Sequence, residues 1–190
     1  MRLVAATILM AFAAPVLAQD AALAAFRDEA RKTSAEFGQK LGGELKKALE
    51  AGGPEAAIGV CKDVAPAISS ELSRRKGWRV TRVSLKARDP LLGLPDAWEQ
   101  KVLADFDRRA AAGEKPETLE FAEAVSEPQG QSLRYMKAIP TQELCLTCHG
   151  PADRIAPGLK QKLAEQYPHD KATGYSVGQV RGAFSIKQPQ

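Results

Sequence analysis

The segment Cys145-Leu146-Thr147-Cys148-His149 constrains this chain more than any other part of its 190-residue sequence. Two thiols held two residues apart can each form a thioether with a vinyl group of a haem. The histidine that follows them can then bring an imidazole nitrogen to the iron. The segment therefore predicts one covalently attached haem c, bound through Cys145 and Cys148, with His149 as the proximal iron ligand.

The same pair of cysteines also occurs in thiol-disulfide exchange proteins and as half of a zinc site. The first normally accompanies a βαβ pattern, and the second needs two more ligands at a characteristic spacing. This sequence has neither context, because its only other thiol is Cys61 and its only other histidine is His169. We therefore favour haem attachment over both alternatives.

Residues 1–18 have the pattern of a secretory signal peptide. Arg2 carries the positive charge, residues 3–12 are apolar, and small residues precede the expected cleavage position. The apolar run is shorter than the ~20 residues that a membrane-spanning helix needs. We expect residues 19–190 to be exported to the periplasm, where c-type haem is attached, with no membrane span after cleavage of the signal.

Residues 19–190 are enough for a single domain with a core around a cofactor. The formal net charge of the whole sequence is only +4, which argues against a nucleic-acid partner. The local basic run Arg74–Lys76 is explained as a solvated helix end. The expected partner is instead a redox or signalling protein in the periplasm.

The chain begins with a helical pattern. Apolar residues recur at three- and four-residue steps over residues 20–51, which predicts a long amphipathic helix that ends at Gly52-Gly53. Pro54 suits the first turn of a second helix, whose periodicity turns Cys61 toward the core. Pro66 cannot donate to the carbonyl four residues back, so this helix should kink or restart about one turn beyond Cys61.

The rest of the chain alternates between strands and shorter helices. Helices followed by strands of an antiparallel sheet give the class α+β, which excludes a small all-helical cytochrome c. The last residues, 188–190, are expected to fray. The predicted elements are a strand with a bulge or break over 78–85, a loop over 88–95, a helix capped by Asp96 and Glu99 and stopped by Gly113, a hairpin over 119–139, a short helix around 159–163, and a strand over 180–186.

The third cysteine needs an explanation, because an odd thiol is unusual in an oxidising compartment. The simplest interpretation of Cys61 is a buried, inert residue that packs like a small apolar side chain. Two other side chains could bind the iron opposite His149. Met136 precedes the motif, but its parity is opposite to the apolar face of its strand, so its side chain is expected to point away from the core. His169 lies in a polar loop.

Four side chains are candidates for holding the haem propionates by charge and hydrogen bonding. Ordinary surface ion pairs would explain the arginines among them equally well. The candidates are Arg82, Arg88, Arg134 and Tyr135.

Several stretches, taken in their order and spacing, resemble a family of exported single-haem c-type proteins that is known as a domain of unknown function. The resemblance covers most of residues 19–190. It departs from the family pattern at Asp89, where Asn is common, and in the loop Leu91–Leu94. The matching stretches are residues 57–61 with 65–66, 82–86 with 88–90, 95–99, 145–150 and 170–175.

The resemblance implies a PAS-like antiparallel sheet flanked by N-terminal helices, and it implies that Cys61 is the second axial ligand, a thiolate opposite His149. A thiolate donates strongly to ferric iron, so the reduction potential should be low. The resulting hypothesis is a redox sensor: reduction weakens the iron–thiolate bond, the helix that carries Cys61 shifts, and a partner reads the change.

The alternative hypothesis is an electron-transfer cytochrome with permanent His/Met or His/His ligation. Fast, reversible reduction without any change of ligand would mark such a carrier. A haem enzyme that acts on peroxide or a nitrogen oxide is not expected, because His169 is the only spare histidine for acid–base work.

Overall fold

The computed structural model describes residues 14–190 and, within them, side chains from residue 19 onward. Most of the predicted signal peptide, residues 1–13, lies outside the described residues. The described chain is α+β, with helices first and a four-stranded antiparallel sheet after them. Within residues 14–190, no helix combines the length and the apolar character that a membrane span requires.

Helix α1 spans Ala14–Gly59, but Gly52 and Gly53 interrupt it with non-helical backbone angles. The φ of Gly53 is +70°, in the left-handed region that glycine occupies without steric cost. Pro54 then begins the second part of the helix, where a missing N–H costs nothing. The predicted helix over residues 20–51 and its end at Gly52-Gly53 are therefore confirmed.

A π-helical turn, Val60–Val64, follows α1 directly and leads into helix α2, Ala65–Lys76. The backbone N–H of Ala65 donates to the carbonyl of Val60, five residues back. Pro66 lies in the first turn of α2, where it has no N–H to donate. An irregularity was predicted about one turn beyond Cys61, and the structure places it earlier, so that Cys61 itself lies in the widened turn.

Strands β1 (Arg79–Val83), β2 (Glu120–Glu127), β3 (Gly130–Pro140) and β4 (Val180–Pro189) form one sheet. The strand order is β1-β4-β3-β2, and every neighbouring pair is antiparallel. The pairing of β2 with β3 confirms the predicted hairpin. The expected fraying of residues 188–190 is wrong, because β4 pairs with β3 as far as Pro189 and Gln190 N donates to Gln131 O at 3.0 Å.

The predicted bulge or break in the first strand is also wrong. β1 pairs with β4 in unbroken register from Arg79 to Val83. The apolar residues change parity along this strand for another reason. The sheet buries both of its faces, so apolar side chains are needed on both. Val80 packs against α1 and α2 on one face, and Val83 packs on the opposite face.

Helix α4, Ala97–Ala111, covers this second face of the sheet through Val102, Leu103 and Phe106. The predicted capping box at its start is confirmed: Glu99 N donates to Asp96 Oδ1 at 2.9 Å, and Asp96 N donates to Glu99 Oε2 at 2.7 Å. The predicted loop over 88–95 contains a short helix. The helices that follow β1 are α3 (Pro90–Gly93), α4 (Ala97–Ala111), a 3-10 turn (Pro116–Thr118), α5 (Glu143–His149) and α6 (Pro157–Gln166).

A third apolar cluster lies outside the sheet and joins the end of α1 to α6. Ile58, at the end of α1, packs there with Leu159 and Leu163 of α6 and with Tyr167. Cys148 of α5 packs against the same cluster. This cluster brings the helix that carries Cys61 next to the helix that carries the Cys145–His149 segment.

Candidate functional site

The Cys145–His149 segment forms most of α5. Residues three and four apart share one face of a helix, so the thiols of Cys145 and Cys148 and the imidazole of His149 project from the same side. Both cysteines are half-buried, and neither forms a disulfide within the described chain. The helix therefore presents two thiols and one imidazole together, as covalent haem attachment requires.

The ring of His149 is held in one tautomer. Its Nδ1 atom lies 2.7 Å from the backbone oxygen of Ala172, and a carbonyl oxygen can only accept, so Nδ1 carries the proton. Arg181 Nε lies 3.2 Å from the same Nδ1 atom. Because Nδ1 already carries a proton, this contact is not a hydrogen bond, and Arg181 donates to Ser84 Oγ at 3.0 Å. The lone pair of His149 Nε2 is thus left for a metal.

The same imidazole is neutral. The pKa of His149 is lowered to about 2, mainly by burial and in addition by the positive charges of Arg181 and Arg88. The hydrogen bond to Ala172 acts in the opposite direction but is the weaker effect. Neutral imidazole is the form that binds iron, so the surroundings of His149 favour ligation over protonation.

Arg88 ties the loop after β1 to the end of α5. Its guanidinium donates to Asp170 Oδ2 at 3.0 Å and to the backbone oxygen of Cys148 at 2.6 Å. It also lies over the ring of Tyr167, 5.9 Å from the centroid. Arg88 is buried and the side chain of Asp170 is only 12% exposed, so this ion pair fixes the C-terminal end of the motif in place.

Arg82 and Arg181 lie at the same site without a carboxylate partner. Burial lowers the pKa of both guanidinium groups. Among the described residues, Arg82 forms no salt bridge or side-chain hydrogen bond and instead lies over the ring of Phe37. In the part of the chain that the structure describes, Arg181 contacts only neutral groups such as Ser84 Oγ and the ring of Tyr175. Two partly buried cations of this kind suit an anionic ligand such as a haem propionate.

Cys61, in the π-helical turn, lies within electrostatic range of the motif. Burial raises the pKa of Cys148, and the nearby Cys61 raises it further, because two thiolates would repel each other. The pKa of Tyr167 is raised mainly by burial and further by Cys61. Burial lowers the pKa of Arg82, and Cys61 acts in the opposite direction. The structure thus places the upstream thiol close enough to Cys148 to affect its pKa.

The two other candidate iron ligands lie in different surroundings. Met136 is fully buried between the sheet and α4, in the cluster that contains Phe106. It points away from the Tyr135 face as expected, but that second face is itself a core. His169 is exposed in the loop after α6, two residues beyond Tyr167.

Two of the four propionate candidates have other partners. Tyr135 is buried under α1, and its hydroxyl donates to Glu120 Oε2 at 2.9 Å. Arg134 is buried on the opposite face of the sheet, where it donates to Asp96 Oδ2 at 2.6 Å and lies over the ring of Trp98. The structure therefore brings Arg82 and Arg88 to the motif and gives Tyr135 and Arg134 structural roles.

Sequence reasoning missed Arg181, Ala172 and Tyr167. The stretch 170–175 contributed to the family resemblance, which was the one available signal for Ala172. Arg181 gave no local signal, because only the pairing of β1 with β4 brings it beside Ser84.

The fold and this site can be compared with known proteins. The sequence model of the Tll0287-like family matches residues 12–189. The crystal structure of the cyanobacterial heme-protein Tll0287 is similar, with a TM-score of 0.63 and 27% sequence identity over 86% of this chain and 94% of that chain. None of the curated proteins matches the sequence. Because the family match spans nearly the whole sequence, the chain belongs to the Tll0287-like family.

Proposed function

We propose that this chain is an exported periplasmic protein that binds one haem c covalently at Cys145 and Cys148, with His149 and Cys61 as the axial ligands. The observation that carries the proposal is that Ile58, just before the Cys61 turn, and Cys148 of α5 pack in one apolar cluster. Membership of the Tll0287-like family and similarity to a heme-protein support haem binding.

The residues present fit a haem in their donor chemistry. His149 is neutral and has a free Nε2 atom, and its Nδ1 proton is held by the Ala172 carbonyl, a hydrogen bond that makes the imidazole a stronger donor. Arg82 and Arg181 offer cations without a carboxylate partner for the propionates, with Arg88 beside them. When bound, the haem would supply a one-electron ferric/ferrous couple.

The chain's contribution to that couple would come mainly from Cys61. A thiolate ligand stabilises ferric over ferrous iron, because its negative charge offsets the higher charge of the metal. The partly buried arginines act in the opposite direction, since cations favour the reduced state. We propose that the thiolate dominates and that the reduction potential is low.

We further propose that the redox state is sensed by the segment Pro54–Val64. Gly52-Gly53 precedes the segment, and the π turn Val60–Val64 forms its last residues. The ion pair that joins it to α6, Glu55 with Lys162, is about half-exposed and therefore weak. Release of Cys61 would leave the segment joined to α6 by Ile58, by the Glu55–Lys162 pair and by the hydrogen bond from Lys62 to Gln166, so it could shift and signal to a partner. In this proposal the sheet is PAS-like, as the resemblance implies.

An electron-transfer cytochrome is the second candidate function. Within it, His/His ligation through His169 is more compatible with the structure than His/Met ligation. His169 lies in an exposed loop next to Asp170, which already contacts the site through Arg88. Met136 would have to leave a fully buried position between the sheet and α4.

Covalent attachment is tested by the intact mass of the exported protein. We expect the mass of the polypeptide plus one haem, retained under denaturing conditions. The double variant Cys145→Ala/Cys148→Ala should lose this added mass, whereas Cys61→Ala should keep it. An unmodified wild-type mass would contradict attachment.

Axial ligation is tested by ferric absorption and electron paramagnetic resonance spectra of Cys61→Ala and His169→Ala. We expect Cys61→Ala to change both spectra and His169→Ala to leave them unchanged. The reverse result would support a His/His electron carrier. Spectra that are unchanged in Cys61→Ala would exclude the thiolate ligand.

A further inference from the structure

Three leucines project into solvent from α3 and its C-terminal end. Leu91 is 95% exposed, Leu92 57% and Leu94 61%. Single exposed apolar residues are ordinary, but three within four positions on one tight turn form a protruding patch. We call residues 91–94 the leucine tip.

A capping side chain and backbone hydrogen bonds hold the leucine tip in place. Asp89 caps α3 through its carboxylate, and Pro90 occupies the first turn. Gly93 N donates to Asp89 O at 2.9 Å, and Ser84 N donates to Gly93 O at 3.0 Å, which anchors the turn next to the end of β1. The three leucine side chains are mostly exposed, so packing within the chain does not explain why these positions are leucines.

Every backbone donor of the tip is satisfied within the turn. Leu91 N donates to Asp89 Oδ1 at 2.9 Å, Leu92 N to Asp89 O at 3.3 Å, and Leu94 N to Pro90 O at 3.4 Å. Gly93 N is bonded as described, and the flanking residues Pro90 and Pro95 have no N–H. Protein interfaces normally exchange about one hydrogen bond per 100–200 Å². The tip offers no backbone donor for such an exchange, and its bonded donors would not have to lose hydrogen bonds to water on approaching a lipid surface.

Two lysines flank the base of the tip. Ala87 lies beneath Gly93, since a Cβ added to Gly93 would lie 3.6 Å from that of Ala87. Lys86 precedes Ala87, and Lys171 N donates to Ala87 O at 3.0 Å. Both lysines are exposed, and neither forms a salt bridge among the described residues, although Asp107 offsets part of the Lys86 charge. Cations beside an apolar tip suit an anionic bilayer surface.

We propose that the leucine tip inserts into the headgroup–acyl boundary of an anionic phospholipid bilayer, which makes this protein a peripheral membrane protein. A protruding apolar turn without free donors fits a fluid bilayer better than a preformed protein pocket. Arg88, next to the capping Asp89, donates to the Cys148 carbonyl, so insertion would hold the α5 motif near the membrane surface. The proposal rests neither on haem binding nor on the identity of its ligands.

Sedimentation with vesicles tests the proposal. The protein purified after export is mixed with phosphatidylglycerol/phosphatidylcholine vesicles, in its wild-type form and as Leu91→Ser/Leu92→Ser. The matched control is Phe121→Ser, which removes a 41% exposed apolar side chain from β2, at the opposite edge of the sheet from β1. Circular dichroism verifies that each variant is folded.

We expect the wild type to sediment with these vesicles and to bind less to pure phosphatidylcholine. The double leucine variant should lose at least about tenfold in partitioning, whereas Phe121→Ser should stay within about twofold. Three results would overturn the proposal: wild-type protein that remains in the supernatant, a double variant that binds as well as wild type, or an equal loss in Phe121→Ser.

Fluorescence of Leu91→Trp gives a second, independent test. On addition of the anionic vesicles, the emission of the new tryptophan should shift to shorter wavelength, and brominated acyl chains should quench it. The native Trp78 and Trp98 provide the background, measured in the wild type under the same conditions. Emission that neither shifts nor is quenched beyond this background would contradict insertion of the tip.

Discussion

Asp170 accepts a hydrogen bond of 3.0 Å from Arg88 Nε through one carboxylate oxygen, and through the other it accepts one of 2.7 Å from the backbone N–H of Ala172. Ala172 is the residue whose carbonyl holds the His149 ring. One largely buried carboxylate therefore neutralises the arginine at the end of α5 and shapes the loop that orients the imidazole.

Replacing this carboxylate should destabilise the protein strongly. In Asp170→Ala, Arg88 is left as a buried cation without its counter-charge, so we expect a loss of about 3 kcal/mol in the free energy of unfolding, measured with urea. Asp170→Asn keeps an acceptor for Ala172 and should lose less. Glu55→Gln, which breaks the exposed pair with Lys162, is the control and should cost under about 1 kcal/mol. A similar small cost in Asp170→Ala would contradict the role of the buried pair.

Alanine substitutions at the two glycine pairs of α1 should change the free energy of unfolding in opposite directions. Gly53 has a φ of +70°, so Gly53→Ala should lower the free energy of unfolding by about 1 kcal/mol. Gly43 lies inside the helix with no heavy atom within 4 Å of an added Cβ, so Gly43→Ala should raise it by about 0.5–1 kcal/mol. Thermal unfolding of the two variants beside the wild type gives the comparison. Two changes of the same sign would contradict the backbone assignment at Gly53.

Glu120 links α1 to the sheet in a pH-dependent way. The hydrogen bond from Arg31 lowers the pKa of Glu120, with a further bond from the Tyr135 hydroxyl acting in the same direction against the effect of burial. Because the folded pKa lies below the unfolded value of about 4.3, the stabilisation is fully present above that pH and is lost as the pH falls through the folded pKa.

Glu120→Gln should therefore be less stable than wild type at pH 7, and the difference in the free energy of unfolding should shrink at pH 3. Urea unfolding at both pH values measures it. Glu165→Gln, at an exposed position on α6 whose carboxylate accepts, among the described side chains, only from Gln161, should show little difference at either pH. A gap between wild type and Glu120→Gln that is constant with pH would show that the carboxylate charge contributes nothing.

Arg181 should influence the reduction potential of the proposed haem. Its guanidinium lies beside the His149 ring without a carboxylate partner, and a cation there favours the ferrous state. In Arg181→Gln we expect the midpoint potential to fall by on the order of tens of millivolts in a redox titration. Arg154→Gln, at an exposed position, is the control and should leave the potential close to wild type. An increase in Arg181→Gln would contradict this placement of its charge.

Local signals account for the parts of the fold that the sequence predicts correctly. The end of the long helix at Gly52-Gly53, the capping box of Asp96 and Glu99, and the β2–β3 hairpin each depend on residues close together in the chain. The Cys145–His149 segment is of the same kind, since its chemistry follows from spacing alone.

Long-range pairing accounts for most of what the sequence could not predict. β4 lies between β1 and β3, so the sheet is covered on both faces, and a strand buried on both faces loses the alternation that reveals its register. This is why the pattern around Val80 and Val83 was interpreted as a bulge. Arg181 is hidden for the same reason, because only the partnership of β4 with β1 brings it to the site.

The central claim is that Cys61 binds the iron opposite His149, and X-ray absorption at the iron edge tests it most directly. In the ferric wild-type protein, the extended fine structure should show one sulfur in the first coordination shell at about 2.3 Å, with nitrogen atoms in the remaining positions. Cys61→Ala should lose that sulfur. A wild-type shell made of nitrogen alone, or a sulfur that persists in Cys61→Ala, would contradict the account.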